Sequence, residues 1–103
     1  LVAGRVKRFR VETQGLKVPH MGWNTVRVPR PSPLFPTSAE GDRYYFVHSY
    51  YADCGDPADV AAVASYGIDF VCSVHRGNVF GMQFHPEKSH RFGMQLLKRF
   101  VDL

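Results

Sequence analysis

The chain has 103 residues, of which 45% are hydrophobic and 21% charged, and its formal net charge is +4 at pH 7. This length suits one small domain with a modest core, and the composition is that of an ordinary globular protein rather than a disordered one. No apolar run approaches the ~20 residues of a membrane span, and the first residues lack the order of a signal peptide. Because no Met begins the sequence, we interpret it as part of a longer protein.

Residues 5–11 alternate between polar and apolar side chains and predict a short strand. This strand carries a basic cluster made of Arg5, Lys7, Arg8 and Arg10. A cluster of this kind is found on solvated strand faces and on surfaces that bind nucleic acid or phosphate. No nucleic-acid motif accompanies it, so we favour the solvated face and expect neither a nucleic-acid nor a membrane partner.

The next segments are interrupted by proline and glycine. Residues 17–24, "KVPHMGWN", contain Pro19 and Gly22 and predict an ordered loop, and residues 25–28 predict another short strand. Residues 29–36 contain four prolines, a density that excludes a helix or a central strand. We therefore expect a surface connection there.

The middle of the chain is rich in β-branched and aromatic residues. Residues 43–51, "RYYFVHSYY", predict one strand, with Tyr44, Phe46, His48 and Tyr50 on the same face. The runs 60–66, 70–75 and 79–84 are separated by the tight turns "YGID" and "HRGN" and predict an antiparallel meander. The first of these runs is rich in alanine, so a helix stays an alternative for it.

A helix is predicted at the end of the chain, with Ser89 as a candidate N-cap. Its apolar residues form two adjacent rows, Phe92, Leu96 and Phe100 in one and Gly93, Leu97 and Val101 in the other. Gly93 lowers helix propensity, and we expect it to allow close packing of the helix on a sheet.

The corner His85-Pro86-Glu87 lies between the last predicted strand and this helix. In extended backbone, residues i and i+2 project to the same side about 6–7 Å apart, so Glu87 can accept a hydrogen bond from the imidazole of His85. That arrangement is the base and orienting carboxylate of a nucleophilic triad. Two alternatives stay open: a helix-capping glutamate beside a half-buried histidine, or a metal site of His85, Glu87 and His90 or His48. The metal site is the least favoured, because metal clusters usually show more Cys or His at regular spacing.

Three segments together, "GMQFHPEKS", "YYFVHSYY" and "VPHMGWN", resemble the class I, triad-type glutamine amidotransferases over nearly the whole chain. Within this family they are most similar to the glutaminase subunits of imidazole glycerol phosphate synthases. The resemblance implies an α/β fold, the C-terminal half of a flavodoxin-like domain with a mixed sheet, antiparallel strands and a C-terminal helix. Residues 1–103 are then a partial amidotransferase domain, and neither a cofactor nor a metal is expected.

The resemblance also implies residue roles. His85 is expected to be the general base and Glu87 the carboxylate that orients it. Ser49 and Tyr50 match the stretch that holds the α-amino and carboxylate groups of glutamine, and His48 beside them is interpreted as structural. The family's nucleophile is a cysteine in a glycine-rich elbow between a strand and a helix, upstream of all these residues.

The family resemblance further implies a partner. Ammonia from glutamine passes to a (β/α)8-barrel synthase (cyclase) subunit in histidine biosynthesis, so a heterodimer is expected. The residues that match the partner-facing positions are Met21, Gly22, Trp23, Asn24, Tyr45 and Lys88. A buried core position stays an alternative for Trp23.

The two cysteines depart from the family pattern. Cys54 lies in "ADCGDP", where we expect no preceding strand, and Cys72 is expected to be buried within a strand. They form no disulfide framework, which favours a cytoplasmic protein. We therefore expect the chain to carry the base without the nucleophile and to be inactive alone. The alternatives are a non-catalytic docking or regulatory module, another class I glutamine amidotransferase, or a basic nucleic-acid binder.

Overall fold

The computed structural model describes residues 2–103. They form seven strands in two antiparallel sheets and one C-terminal helix. Leu1, the first residue of the expected partial domain, lies outside that range. The elements are β1 (Gly4–Arg8), β2 (His20–Thr25), β3 (Arg43–His48), β4 (Tyr50–Cys54), β5 (Val60–Ser65), β6 (Asp69–Arg76), β7 (Val79–Met82) and α1 (His90–Val101). This arrangement confirms the α/β class with a terminal helix.

The larger sheet has five strands in the order β1-β4-β6-β5, and β7 pairs with β6. Strands β5, β6 and β7 form the predicted antiparallel meander, and Gly67 and Gly77 occupy its two turns with positive φ. Residues 60–65 are a strand, so the helical alternative is wrong. The alanines Ala61, Ala62 and Ala64 are the buried residues of this strand and pack in the core.

The predicted single strand over residues 43–51 is two strands, since the chain changes sheets at Ser49. β3 pairs with β2 in a separate two-stranded ribbon, whereas β4 pairs with β1 and β6. The carbonyl of Ser49 accepts a hydrogen bond from the backbone N–H of Phe9 at 3.0 Å, which holds the crossing in position. As a result Tyr50 does not share the buried face of β3 and is 55% exposed.

The predicted loop over residues 17–24 is also corrected, because β2 begins at His20 and pairs along its length with β3. Pro19 lies just before the strand, where its missing N–H removes no hydrogen bond between β2 and β3. Gly22 takes φ +121° within the ribbon, a conformation that other residues rarely adopt. The strand expected at 25–28 is reduced to the end of β2 and one bridge between Arg27 and Val63.

Aromatic side chains dominate the core between the two sheets and the helix. The buried ones are Phe9, Phe35, Tyr44, Phe46, Phe70 and Phe84. The proline-rich segment contributes to this core, because Leu34 and Phe35 are buried and Arg99 donates from Nε to the Leu34 carbonyl at 2.8 Å. The segment is therefore not only a surface connection. The basic strand β1 has all five residues exposed, as expected of a solvated face.

Helix α1 covers the end of the molecule with part of its apolar stripe. Gly93 and Leu96 are buried and Phe92 is half-buried, whereas Leu97 and Val101 are exposed. Gly93 packs against the backbone of Pro86 and not against a sheet, which corrects the expectation. No helix within residues 2–103 has the length and apolar character that crossing a membrane requires.

Candidate active site

The corner between β7 and α1 carries His85 and Glu87. Residues Pro86–Lys88 form one turn of 3-10 helix, and the Nδ1 atom of His85 lies 3.2 Å from Oε2 of Glu87. The hydrogen bond expected from their spacing is therefore present. The backbone N–H of His85 donates to the carbonyl of Tyr45 at 2.9 Å, so the corner is attached to β3.

The electrostatics of the pair favour a charged Glu87 and a directed imidazole. The backbone N–H of Glu87 is the largest cause that lowers the pKa of its carboxyl, and the hydrogen bond from His85 lowers it further. A carboxylate at Nδ1 keeps the proton on that nitrogen and leaves Nε2 free to accept another. Both side chains are partly exposed, 38% for His85 and 62% for Glu87, so solvent screens their attraction. The pair can act as an oriented base at the surface.

Ser89 and Gly93 hold the corner in this conformation. The Ser89 hydroxyl is fully buried, donates to the carbonyl of His85 at 2.6 Å and accepts from the backbone N–H of Tyr45 at 3.0 Å. It occupies the N-cap position of α1 without capping it, so the predicted capping role is wrong. A Cβ on Gly93 would lie 1.8 Å from the carbonyl oxygen of Pro86, so only glycine allows α1 to approach this turn.

The ribbon of β2 and β3 presents aromatic side chains next to the corner. Met21 is 62% and Trp23 46% exposed, which excludes the core position for Trp23. The Trp23 ring meets Tyr45 edge-on at 6.0 Å and stacks on His90 at 5.6 Å. Since the main chain of Tyr45 also binds the corner, these side chains and the corner form one continuous surface, to which the exposed Lys88 belongs.

Asn24, at the end of the ribbon, is engaged within the chain. Its amide nitrogen donates to the carbonyl of Ser65 at 2.7 Å, and its Oδ1 accepts from the backbone N–H of Thr25 at 2.8 Å. The same amide nitrogen lies 3.4 Å from Nε2 of His20. The side chain is thus held by three contacts.

Ser49 and Tyr50 lie at the crossing between the two sheets. Ser49 is half-buried and Tyr50 exposed. Within residues 2–103 no side-chain hydrogen bond connects Ser49 or Tyr50 to His85 or Glu87. His48 beside them is buried, and its Nδ1 lies 2.8 Å from the Tyr50 carbonyl.

Neither cysteine has the surroundings of a nucleophile. Cys54 is the last residue of β4, which corrects the expectation that no strand precedes it, but a loop and a 3-10 turn follow it and not an α-helix. Burial, and then the carboxylates of Asp59 and Asp53, raise the pKa of the Cys54 thiol. Cys72 is buried in β6, as expected, and burial raises its pKa as well. A raised pKa lowers the thiolate fraction, and the thiolate is the nucleophile.

Metal-ligating groups do not cluster in the described chain. Residues 2–103 contain no set of three His, Cys, Asp or Glu side chains able to hold an ion. The structure places His90 against Trp23 and His48 against His20, while His85 and Glu87 bind each other.

Sequence reasoning missed the buried pair His20 and His48, whose Nδ1 and Nε2 atoms lie 2.9 Å apart. They are directly opposite in the ribbon. The signal available in the sequence was one histidine in each of the segments 17–24 and 43–51. It could not be used, because residues 17–24 do not show the pattern of a strand. The long connection between the two segments also leaves the register of their pairing undetermined.

Comparisons with known proteins agree on one family. Residues 2–103 match the family described as glutamine amidotransferase class-I. The chain is 52% identical over 106 residues to imidazole glycerol phosphate synthase subunit HisH of Dechloromonas aromatica, covering 97% of this chain and 49% of that protein. It is 50% identical over 103 residues to subunit HisH of Moorella thermoacetica, covering 100% of this chain and 48% of that protein.

The chain spans about half the length of the curated relatives it matches. The family match nevertheless covers residues 2–103, and it includes the His85–Glu87 corner and the aromatic ribbon. The chain belongs to the class I glutamine amidotransferase family.

Proposed function

We propose that this chain is the base-bearing part of the glutaminase subunit of an imidazole glycerol phosphate synthase, and that residues 1–103 are the C-terminal part of its amidotransferase domain. The observation that carries the proposal is the 3.2 Å contact between His85 Nδ1 and Glu87 Oε2 at a strand-to-helix corner. The 52% identity to a HisH subunit supports the same assignment.

In the proposed reaction, a cysteine thiolate from a part of the protein outside these residues attacks the side-chain amide carbon of glutamine. His85 donates a proton to the departing nitrogen as the carbon–nitrogen bond breaks, which releases ammonia and leaves a thioester. His85 then takes a proton from water, which attacks the thioester to give glutamate and the free thiol. Glu87 keeps the imidazole in the required orientation, and Ser49 and Tyr50 hold the α-amino and carboxylate groups of glutamine.

The ammonia passes to a (β/α)8-barrel synthase (cyclase) subunit, with which the protein forms a cytoplasmic heterodimer. The proposed contact residues are Met21, Gly22, Trp23, Asn24, Tyr45 and Lys88. Support comes from the exposure of Met21 and Trp23 and from the hydrogen bond that connects Tyr45 to the His85 corner. Exposed tryptophan and tyrosine are common anchors of protein interfaces, and Lys88 can pair with an acidic residue of the partner.

Substitutions in the full-length protein test the triad assignment. We expect His85→Ala to lower kcat for glutamine hydrolysis about a thousandfold or more, and Glu87→Gln to lower it roughly a hundredfold, because the second change disturbs orientation and leaves the base. Partner affinity should be unchanged in both variants. The matched control is His75→Ala, which removes a histidine outside the corner whose ring binds the Gly77 carbonyl and stacks on Phe80. Parent rates in either variant at residue 85 or 87 would refute the assignment.

A non-catalytic docking module is the second candidate. The observation that favours it is that neither cysteine of residues 2–103 lies in a strand-to-helix elbow, because Cys72 is buried within β6 and a loop and a 3-10 turn follow Cys54. A full-length protein that binds the synthase subunit but leaves glutamine intact would support this candidate and contradict the glutaminase.

A further inference from the structure

The two buried histidines of the ribbon form a chain of hydrogen bonds with a defined direction. His48 Nδ1 lies 2.8 Å from the carbonyl oxygen of Tyr50, and that oxygen can only accept. The proton of a neutral His48 is therefore on Nδ1, and its Nε2 is an acceptor. That nitrogen lies 2.9 Å from Nδ1 of His20, so His20 donates to it.

Asn24 fixes the other end of this series of hydrogen bonds. Because His20 uses Nδ1 as the donor, its Nε2 is an acceptor, and it faces the amide nitrogen of Asn24 at 3.4 Å. The amide cannot be reversed, since the carbonyl of Ser65 accepts from the same nitrogen and the N–H of Thr25 donates to its oxygen. All bonds run one way, from Asn24 through His20 and His48 to the Tyr50 carbonyl. Hydrogen bonds aligned in this manner strengthen one another.

Aromatic rings hold both imidazoles neutral and in place. His20 is stacked against Tyr66 at 4.1 Å and against Phe46 at 4.9 Å, and Phe9 meets His48 edge-on at 5.1 Å. His20 is 3% and His48 7% exposed. Burial lowers the pKa of both groups, so both are uncharged at neutral pH, as the hydrogen-bond directions require.

The hydrogen-bond chain ends on the backbone at the crossing between the sheets. His48 is the last residue of β3 and Tyr50 the first of β4, so the bond from the His48 ring to the Tyr50 carbonyl spans Ser49 and fixes its turn. The N–H of Phe9 holds the same turn through the Ser49 carbonyl. Ser49 and Tyr50 are the residues to which we assign the binding of glutamine.

We propose that His48, held by His20 and Asn24, is a positioning residue that sets the Ser49–Tyr50 turn for glutamine binding, an inference that rests on the proposed function. A pair of apolar side chains would fill the same space without the cost of burying polar atoms. The histidines supply what apolar side chains cannot, a donor aimed at one carbonyl of the turn.

Two amide substitutions in the full-length protein separate this role from simple packing. The amide of His48→Asn can donate from the position of Nδ1 and keeps the bond to the Tyr50 carbonyl. The longer His48→Gln reaches the position of Nε2, which keeps the contact with His20 and loses the one with Tyr50. We expect KM for glutamine to rise about tenfold in His48→Gln, the effect of one lost hydrogen bond, and to stay within about threefold of the parent in His48→Asn. In both variants kcat should change less than about threefold.

The matched control is His75→Asn, which is too short to keep the 2.8 Å bond from Nε2 to the Gly77 carbonyl in the turn between β6 and β7, and should leave KM unchanged. Equal KM values for the two His48 variants, or a loss confined to kcat, would overturn the positioning role. Nitrogen-15 NMR of the full-length parent gives an independent readout, because His48 must carry its proton on Nδ1 and a proton on Nε2 would refute the hydrogen-bond chain.

These measurements also separate the two proposals. A parent protein that does not hydrolyse glutamine contradicts the proposed function, and in that case glutamine affinity by calorimetry decides the role of His48. A dissociation constant about tenfold weaker in His48→Gln than in His48→Asn would then support the positioning role, and equal constants would overturn it.

Discussion

Individual buried histidines make the folded state sensitive to acid. Burial, and then the neighbouring His48, lower the pKa of His20 from 6.5 to about 4. The unfolded chain therefore takes up a proton at His20 before the folded chain does, and the free energy of unfolding must fall as the pH decreases from about 6.5 to about 4. Above this window the effect is absent, and below it the loss is complete at roughly 3 kcal/mol.

Urea unfolding of the full-length protein at several pH values measures this loss. We expect the parent to lose stability steeply between pH 6.5 and 4, and His20→Gln to show a shallower decrease over the same range. The control His75→Ala, at a half-buried position of β6, should show the same decrease as the parent. Parallel curves for parent and His20→Gln would show that His20 does not titrate in this window.

The same residues show how far the sequence predicts the site. The His85–Glu87 contact depends on two residues separated by one, so local geometry was enough to predict it. The His20–His48 contact depends on the register of two strands 28 positions apart in the chain. No local pattern contains that register. Ser89 was predicted to cap helix α1 because it precedes the helix. Its hydroxyl instead binds two backbone groups of the corner, the carbonyl of His85 and the N–H of Tyr45.

Helix α1 and the turn before it act as one element, because they touch at Gly93. Alanine favours a helix interior over glycine by about 1 kcal/mol, so helix propensity alone predicts that Gly93→Ala stabilises the protein. The structure predicts the opposite, since the new Cβ would lie 1.8 Å from the carbonyl oxygen of Pro86. We expect a loss of roughly 3 kcal/mol from overpacking and a displaced corner with lower glutaminase activity.

Thermal unfolding and glutamine turnover of the full-length variant measure both effects. Met94→Ala, at the next position of the same helix and 69% exposed, is the matched control and should change the stability by less than about 0.5 kcal/mol. A Gly93→Ala protein with the parent's stability and activity would mean that α1 can move away from the turn without cost.

Elements were predicted well where the pattern is local and poorly where the partner strand decides. The meander of β5, β6 and β7 has tight turns and clear alternation, and it is present. The segment 43–51 alternates without a break, but its two halves pair with different strands. The segment 17–24 has a proline and a glycine that suggest a loop, and pairing with β3 nevertheless makes most of it a strand. In both cases tertiary pairing overrides local propensity.

At the scale of the whole molecule, the ribbon and the corner form one surface whose exposed aromatic anchor is Trp23. Its ring is 46% exposed and is held by Tyr45 on one side and His90 on the other. A groove beside it is lined by Arg43, His90, Arg91 and Phe92. A rigid aromatic side chain with a cationic border suits a partner surface that carries an apolar pocket and acidic residues.

We expect Trp23→Ala to weaken binding of the synthase subunit about thirtyfold or more, because a tryptophan at the centre of an interface commonly contributes about 2 kcal/mol. Calorimetry with the full-length protein and the proposed synthase subunit measures the dissociation constant. The control is Val101→Ala, another exposed apolar residue, 79% accessible at the far end of α1, which should leave affinity unchanged. If both variants bind the synthase subunit as the parent does, the ribbon is not the docking surface. The His85–Glu87 assignment would still stand, because neither substitution changes the contact on which it depends.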